Sequence, residues 1–232
     1  MLVPGGVGTS WRDLSCNAAG ISATLLIDSV GEHGAKLSEM PRPGLAKRSA
    51  TYEDLLKVPD HFVAEILEGE LYATPRPAMP HAVAASALGS ELGGPFQQGR
   101  GGPGGWWILD EPELHLGSDV IVADLAGWRR SRVPQVPAVA AMTIPPDWVC
   151  EILSPSTEAL DRVPKLNAYA RERVAHVWFI NPRSQTLEVL RLEGARWTVV
   201  ATHDGDVSVT VEPFDAVPLD LYRLWGRDAP AP

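Results

Sequence analysis

The sequence has little cysteine, no excess of positive charge and no long apolar run. Its 232 residues include only Cys16 and Cys150, too few for a disulfide framework, which fits a reducing, cytoplasmic setting. The net charge of -9 argues against a broad surface that grips nucleic acid through its phosphates, although metal ions can screen phosphate locally. No apolar run approaches the roughly 18 residues of a membrane span, so we expect no membrane partner.

Sequence motifs of several common site types are also missing. No CxxC pair or His/Cys cluster indicates structural zinc. Ser154 lies in "LSPS", without the GxSxG elbow that presents the nucleophile of a serine hydrolase. What is present is a globular composition, with 45% hydrophobic and 21% charged residues.

The composition changes at about residue 50. Residues 1–49 are rich in Gly, Pro, Ser and Ala without sustained periodicity, which predicts a flexible N-terminal extension. Residues 50–226 alternate apolar runs with turn signals and predict one domain, followed by a short tail at 227–232. The order of helix, hairpin, helix, strands, helix and strands indicates an α/β (α+β) fold with a mixed central β-sheet flanked by helices.

Two acids and a lysine stand at positions suited to phosphoryl chemistry. Asp124 ends the apolar strand "VIVAD", and Glu151 lies inside the buried strand "WVCEIL". If these strands are neighbours, the two carboxylates meet at one end of the sheet, where magnesium or manganese would offset their repulsion. Lys165 lies early in a helix that Asp161 would cap, and could orient a metal-bound water or stabilise phosphoryl charge. Alternatively, Asp124 is a turn residue and Glu151 is a core acid that pairs with a lysine, without a metal site.

Several consecutive segments resemble one family. "EPELHLGSDVIVADLAGWRRSRVP", "PPDWVCEILSPST" and "LDRVPKLNAYARERVAHVWFINP" are similar to the Uma-two family of restriction-endonuclease-like proteins, in the PD-(D/E)XK nuclease-like superfamily. The likeness runs from about residue 52 to 226. It implies a core sheet of three or four strands and a metal-dependent endonuclease that uses Mg²⁺ or Mn²⁺. The implied partner is nucleic acid, DNA more than RNA, and a homodimer is one arrangement of such nucleases.

The resemblance also assigns roles to individual residues. Asp124 and Glu151 match the two metal-binding acids of the family, and Lys165 matches its catalytic lysine. The superfamily usually carries that lysine two residues after the glutamate, where this chain has Leu153. Pro164 stands directly before Lys165, and a proline there could shift the start of the helix.

Four further residues are weaker candidates. Glu70, in the "EGE" turn, could add another acid, or it could be a solvated turn charge. His81 could contact metal-bound water or phosphate, although a histidine at a helix start is more often a capping or surface residue. Arg129 and Arg130 could grip a nucleic-acid backbone, or form a solvated loop. The alternative function is a catalytically inactive nuclease-fold module for binding or assembly, which the net charge and Leu153 favour.

Overall fold

The structure, a computed structural model, describes residues 35–36 and 49–229. Strand-forming segments dominate these residues. The described residues belong to one unit, Glu32–Pro232. The predicted extension therefore lies outside the described residues except for 35–36, which form a strand, and Ser49. Residues 230–232 of the predicted tail also lie outside them.

The elements follow the apolar segments of the sequence. The strands are β1 (Ala35–Lys36), β2 (Phe62–Leu67), β3 (Glu70–Pro75), β4 (Trp106–Asp110), β5 (Glu113–Leu116), β6 (Asp119–Val122), β7 (Leu125–Arg129), β8 (Trp148–Ile152), β9 (His176–Asn181), β10 (Thr186–Glu193), β11 (Arg196–Asp204), β12 (Ser208–Val209) and β13 (Leu219–Asp220). The helices are α1 (Tyr52–Leu55), α2 (Met79–Leu92), α3 (Glu158–Leu160), α4 (Leu166–Arg171) and α5 (Leu221–Leu224). Within the described ranges, no helix has both the length and the apolar character needed to cross a membrane.

Two sheets form the body of this unit. The five-stranded sheet has the order β1-β3-β2-β6-β5 and is antiparallel. The six-stranded sheet has the order β11-β10-β9-β8-β7-β4 and is mixed, because β8 and β9 are parallel. Helices α3 and α4 supply the crossover that a parallel pair requires. The predicted mixed sheet flanked by helices is confirmed, although it has six strands rather than three or four.

The two faces of the six-stranded sheet bury different partners. Trp148, Cys150 and Ile152 of β8 share a core with α2 and α5. Val149 packs instead in a core with the five-stranded sheet and α4. Because side chains alternate along a strand, Glu151 lies on the same face as Val149, toward α4.

The β2–β3 hairpin forms because its turn residues accept left-handed backbone angles. Glu68 and Gly69 have φ of 52° and 77°, the positive values that a two-residue hairpin turn of type I′ requires. The predicted turn is therefore confirmed, but Glu70 is already the first residue of β3, paired with Leu67. This register places Glu65, near the middle of β2, opposite Tyr72.

The helix that carries Lys165 differs from the sequence prediction. It begins at Glu158 in α3, so Asp161 does not cap it, and a π-helical turn spans Asp161–Lys165 before α4. Pro164 lies inside this turn, where the wider winding accommodates a residue that has no N–H to donate. The same turn leaves Val163 59% exposed.

The packing at Gly127 yields the first prediction. A Cβ at Gly127 would lie 3.1 Å from Cε3 of Trp148 and 3.3 Å from Cε3 of Trp106. We expect Gly127→Ala to lower the free energy of unfolding by about 1–3 kcal/mol, because the added methyl group overpacks the core. At Gly93, where φ is -62° and nothing lies within 4 Å, the same substitution should be neutral or stabilise by about 0.4–1 kcal/mol. Urea denaturation measures both, and equal effects would contradict this account.

Candidate active site

Asp124 lies at the break between β6 and β7, where the chain passes from the five-stranded to the six-stranded sheet. Its Oδ2 accepts a 2.6 Å hydrogen bond from the backbone N–H of Ile152 and lies 3.1 Å from Nε2 of His81. β6 ends at Val122, so Asp124 follows the strand rather than ending it. The prediction that the strand before Asp124 neighbours the Glu151 strand is wrong, because β6 lies in the five-stranded sheet and β8 in the six-stranded sheet. It is β7, the strand after Asp124, that pairs with β8 and brings Asp124 to this end of the sheet.

Glu151 is an acid in the core. Its side chain is 1% exposed, and the hydroxyl of Tyr169 donates to its Oε1. Its Oε2 lies 3.4 Å from Nζ of Lys165. Tyr169 comes from α4, which faces Glu151 because of the alternation along β8. Two groups on one helical segment therefore fix both oxygens of this carboxylate.

Lys165 is the cation at the centre of the cluster. Its ammonium lies 3.0 Å from Oε1 of Glu65, 3.2 Å from Oδ1 of Asp161 and 3.4 Å from Oε2 of Glu151. It also donates a 3.1 Å hydrogen bond to the carbonyl oxygen of Val122. The lysine side chain is only 6% exposed, so its charge is balanced by protein groups rather than by water. The helical segment therefore brings an amine to Glu151, as the alternative of a core glutamate paired with a lysine also requires.

Three members of the cluster were missed by the sequence reasoning. Glu65 is buried in β2, where its Oε1 also accepts a 2.9 Å hydrogen bond from the N–H of Val122. Glu65 carries the same sequence signal as Glu151, because each is an acid within an apolar strand. Asp161 resembled a helix cap, and Tyr169 resembled an ordinary residue of a buried helical stripe.

Burial and charge perturb every titratable group that faces Lys165 from β8 and its own helix. Burial raises the pKa of Glu151 well above its usual range, against the opposing charge of Lys165. Burial likewise raises the pKa of Asp161 to about 6, again opposed by Lys165. Burial alone would lower the pKa of Lys165, but the surrounding carboxylates outweigh it and raise that pKa well above its ordinary value. Burial and the nearby charge of Glu151 raise the pKa of Tyr169.

His81 connects helix α2 to the open side of the cluster. It is buried in the first turn of α2, which explains why it contacts Asp124 rather than solvent. Burial lowers the pKa of His81, but the hydrogen bond and charge of Asp124 outweigh it and give a raised pKa. The prediction that His81 belongs near the site agrees with this placement, and Asp124, 19% exposed, is the point of access from solvent.

The other candidates lie elsewhere. Glu70 starts β3 beside the hairpin turn, and Glu65 is the acid of this hairpin that contacts Lys165. Arg129 ends β7, at the end of the strand opposite Asp124, and its guanidinium stacks over the Trp106 ring. Arg130 stacks over the ring of Trp107 and donates to backbone carbonyl oxygens. The structure therefore does not bring these two arginines to the acids.

The oxygen donors at this edge suit a hard divalent cation. Both polar contacts of the Asp124 carboxylate use Oδ2, which leaves Oδ1 for another ligand. An ionised carboxylate such as that of Glu151 has lone pairs beyond those taken by Lys165 and Tyr169. In the described part of the chain, no three His, Cys, Asp or Glu side chains are arranged to hold a metal ion together. Magnesium is commonly held by one or two carboxylates together with water and phosphate oxygens, and Oδ1 of the partly exposed Asp124 fits such a site.

The fold of this chain is similar to that of a solved protein. A similar solved structure is that of "a putative nuclease belonging to DUF820" from Anabaena variabilis, with a TM-score of 0.60 and 24% sequence identity. The likeness covers 76% of this chain and 98% of that chain and shows a common fold. The Uma2 family model, described as "Putative restriction endonuclease", matches residues 50–221. The chain belongs to the Uma2 family, which confirms the resemblance in the sequence. No curated protein matches it.

The ion pairs of Lys165 predict a large stability effect. Lys165→Met leaves three buried carboxylates without their cation, so we expect a loss of about 3–5 kcal/mol in the free energy of unfolding. Lys57→Met removes a lysine whose side chain is 71% exposed. This substitution should change the free energy of unfolding by at most about 0.5 kcal/mol. Urea denaturation in EDTA measures both variants. Similar small losses would show that the buried pairs are not formed.

The raised pKa of Asp161 predicts a pH dependence. The folded protein keeps this proton up to about pH 6, whereas the unfolded chain releases it near the ordinary pKa of 3.8. Stability from Asp161 is therefore complete below that pKa and is lost as pH rises toward about 6. The wild type should lose stability relative to Asp161→Asn across this window, measured by urea denaturation at stepped pH. Asp215→Asn, at an exposed position, should follow the wild type. A constant difference between wild type and Asp161→Asn would refute the assignment.

Proposed function

We propose that this protein is a metal-dependent endonuclease that hydrolyses phosphodiester bonds, in DNA more than in RNA. The observation that carries the proposal is the pairing of Glu151 with Lys165 at 3.4 Å, with Asp124 bound to the N–H of the residue that follows Glu151, at one end of the six-stranded sheet. The family and the structural neighbour support a nuclease. The preference for DNA rests on the description of the family as restriction endonucleases.

Asp124 and Glu151 are the residues that would hold Mg²⁺ or Mn²⁺. When bound, the ion would supply Lewis-acid polarisation of the phosphate and a more acidic water. Asp124 keeps its orientation through the backbone N–H of Ile152, and Glu151 keeps its orientation through the hydroxyl of Tyr169. Carboxylates fixed in this way need little rearrangement when they bind a ligand.

Lys165 would stabilise the charge that builds on the phosphoryl oxygens and help to position the attacking water. Its ammonium is held beside Glu151 in a site from which bulk water is excluded, where a fixed positive charge acts more strongly than in solvent. Glu65 and Asp161 limit the directions in which this ammonium can move. His81, beside Asp124, would face the substrate side.

A second function, a binding or assembly module without catalysis, is favoured by one specific observation. Lys165 is fully occupied by protein carboxylates and nearly buried, which is also the arrangement expected of a structural ion-pair cluster. The two functions differ in whether the acids bind a divalent ion that supports cleavage. A homodimer would offer two such sites for the two strands of a duplex.

A calorimetric titration with manganese tests the proposal. We expect the wild type to bind, Asp124→Asn to bind about tenfold more weakly or worse (at least about 1.4 kcal/mol), and the exposed control Asp215→Asn to match the wild type. Nicking of supercoiled plasmid in manganese should follow the same order. Metal binding without cleavage of DNA or RNA would favour the module. No manganese binding, with or without DNA present, would overturn the proposed function.

A further inference from the structure

A polar cavity lies beside the acid–lysine cluster, where β8 and β9 end. Its volume is about 350 Å³, and its walls come from Leu153–Pro155, Glu158 and the turn between β9 and β10. β8 and β9 are the parallel pair, and a crevice outside the carboxyl ends of parallel strands is a common place for ligands in α/β proteins.

Hydrogen bonds place this cavity next to Asp124. The Asp124 side chain binds the N–H of Ile152, and the next residue, Leu153, lines the cavity. The N–H of Leu153 donates to the carbonyl of Ile180, and the residue after that, Asn181, is also part of the wall. With strands about 4.8 Å apart, the β9–β10 turn lies about 10 Å from Asp124 across the sheet edge.

Arg183 is the cation of the cavity. The Oδ1 of Asn181 accepts hydrogen bonds from the N–H groups of Arg183 and Ser184, at 3.0 Å and 3.2 Å, so the turn that carries Arg183 is fixed. Among the described residues, the guanidinium of Arg183 has no ion pair or hydrogen bond, and the residue is exposed. It is therefore free to bind an anion without first breaking a contact.

The remaining walls suit an anion that also accepts hydrogen bonds. Ser154 and Ser184 contribute hydroxyl groups, which lie 2.9 Å from the hydroxyls of Ser156 and Thr186 and can rotate to donate elsewhere. The acid of the wall, Glu158, is paired with Arg162 at 3.0 Å, which reduces its repulsion of a phosphate.

We propose that this cavity binds a backbone phosphate of the nucleic-acid substrate, close to the bond that is cut. This inference rests on the proposed function. Arg183 thus takes the role that the sequence analysis gave to Arg129 and Arg130, which lie at the other end of the sheet and stack on tryptophan rings.

The test compares Arg183→Ala with Arg196→Ala, which removes an equal charge. Arg196 is also exposed but begins β11, beside the opposite end of β10. Binding of a short fluorescein-labelled duplex in EDTA, by anisotropy at several salt concentrations, gives Kd and its salt slope. We expect Arg183→Ala to weaken binding about tenfold, as for one charge-assisted hydrogen bond, and to reduce the slope by about one. Arg183→Lys should restore part of the affinity, and Arg196→Ala should match the wild type.

Steady-state cleavage in manganese provides the second readout. Because Arg183 does not touch the reacting atoms, its loss should raise KM and leave kcat within about twofold. If Arg183→Ala and Arg196→Ala have the same Kd, slope and KM while the wild type cleaves, the cavity is not a phosphate site and the proposed function stands. If the wild type neither binds nor cleaves nucleic acid, both fail. If Arg183→Ala loses only stabilisation by inorganic phosphate, measured by thermal shift, the cavity takes a free phosphate and the nucleic-acid assignment is wrong.

Discussion

The structure depends on keeping one ammonium among three carboxylates in the protein interior. An unpaired charge in this position would cost several kcal/mol, so Glu65, Glu151 and Asp161 can be buried only if Lys165 is within reach of all three. That requirement fixes the positions of β2, β8 and the π-helical turn relative to one another. It also explains why a proline and a widened turn are accepted in the middle of a short helical segment.

The cluster is more than a balanced set of ion pairs. Three carboxyl groups surround one lysine, and the Asp124–His81 pair lies on the open side. The two pKa values most clearly raised by burial among these acids belong to Glu151 and Asp161. A cluster selected for stability alone would not need a surplus of carboxylates over cations. Perturbed groups of this kind concentrate at functional sites, and here the surplus faces Asp124, the point open to solvent.

Local patterns in the sequence were sufficient to find Asp124, Glu151 and Lys165, because each stands out against a short apolar segment. They were not sufficient for Glu65, whose partner lysine is a hundred positions away and is joined to it only by the tertiary fold. Asp161 was interpreted wrongly because an acid three residues before a proline also matches a helix start, and a π-helical turn has no comparable signature. Arg129 and Arg130 were assigned by their proximity to Asp124 in sequence, but β7 runs between them and Asp124 and carries them to the opposite end of the sheet.

The order in which these segments occur along the chain bears on when the centre can exist. The ribosome releases β2 first, then Asp124, then β8, and the helical segment with Lys165 only afterwards. Until β9 and β10 follow, the six-stranded sheet lacks the strands that hold β8 in place. A nascent chain therefore carries scattered, hydrated acids and no assembled centre. Any activity that needs the assembled centre has to wait until synthesis of the domain is nearly complete.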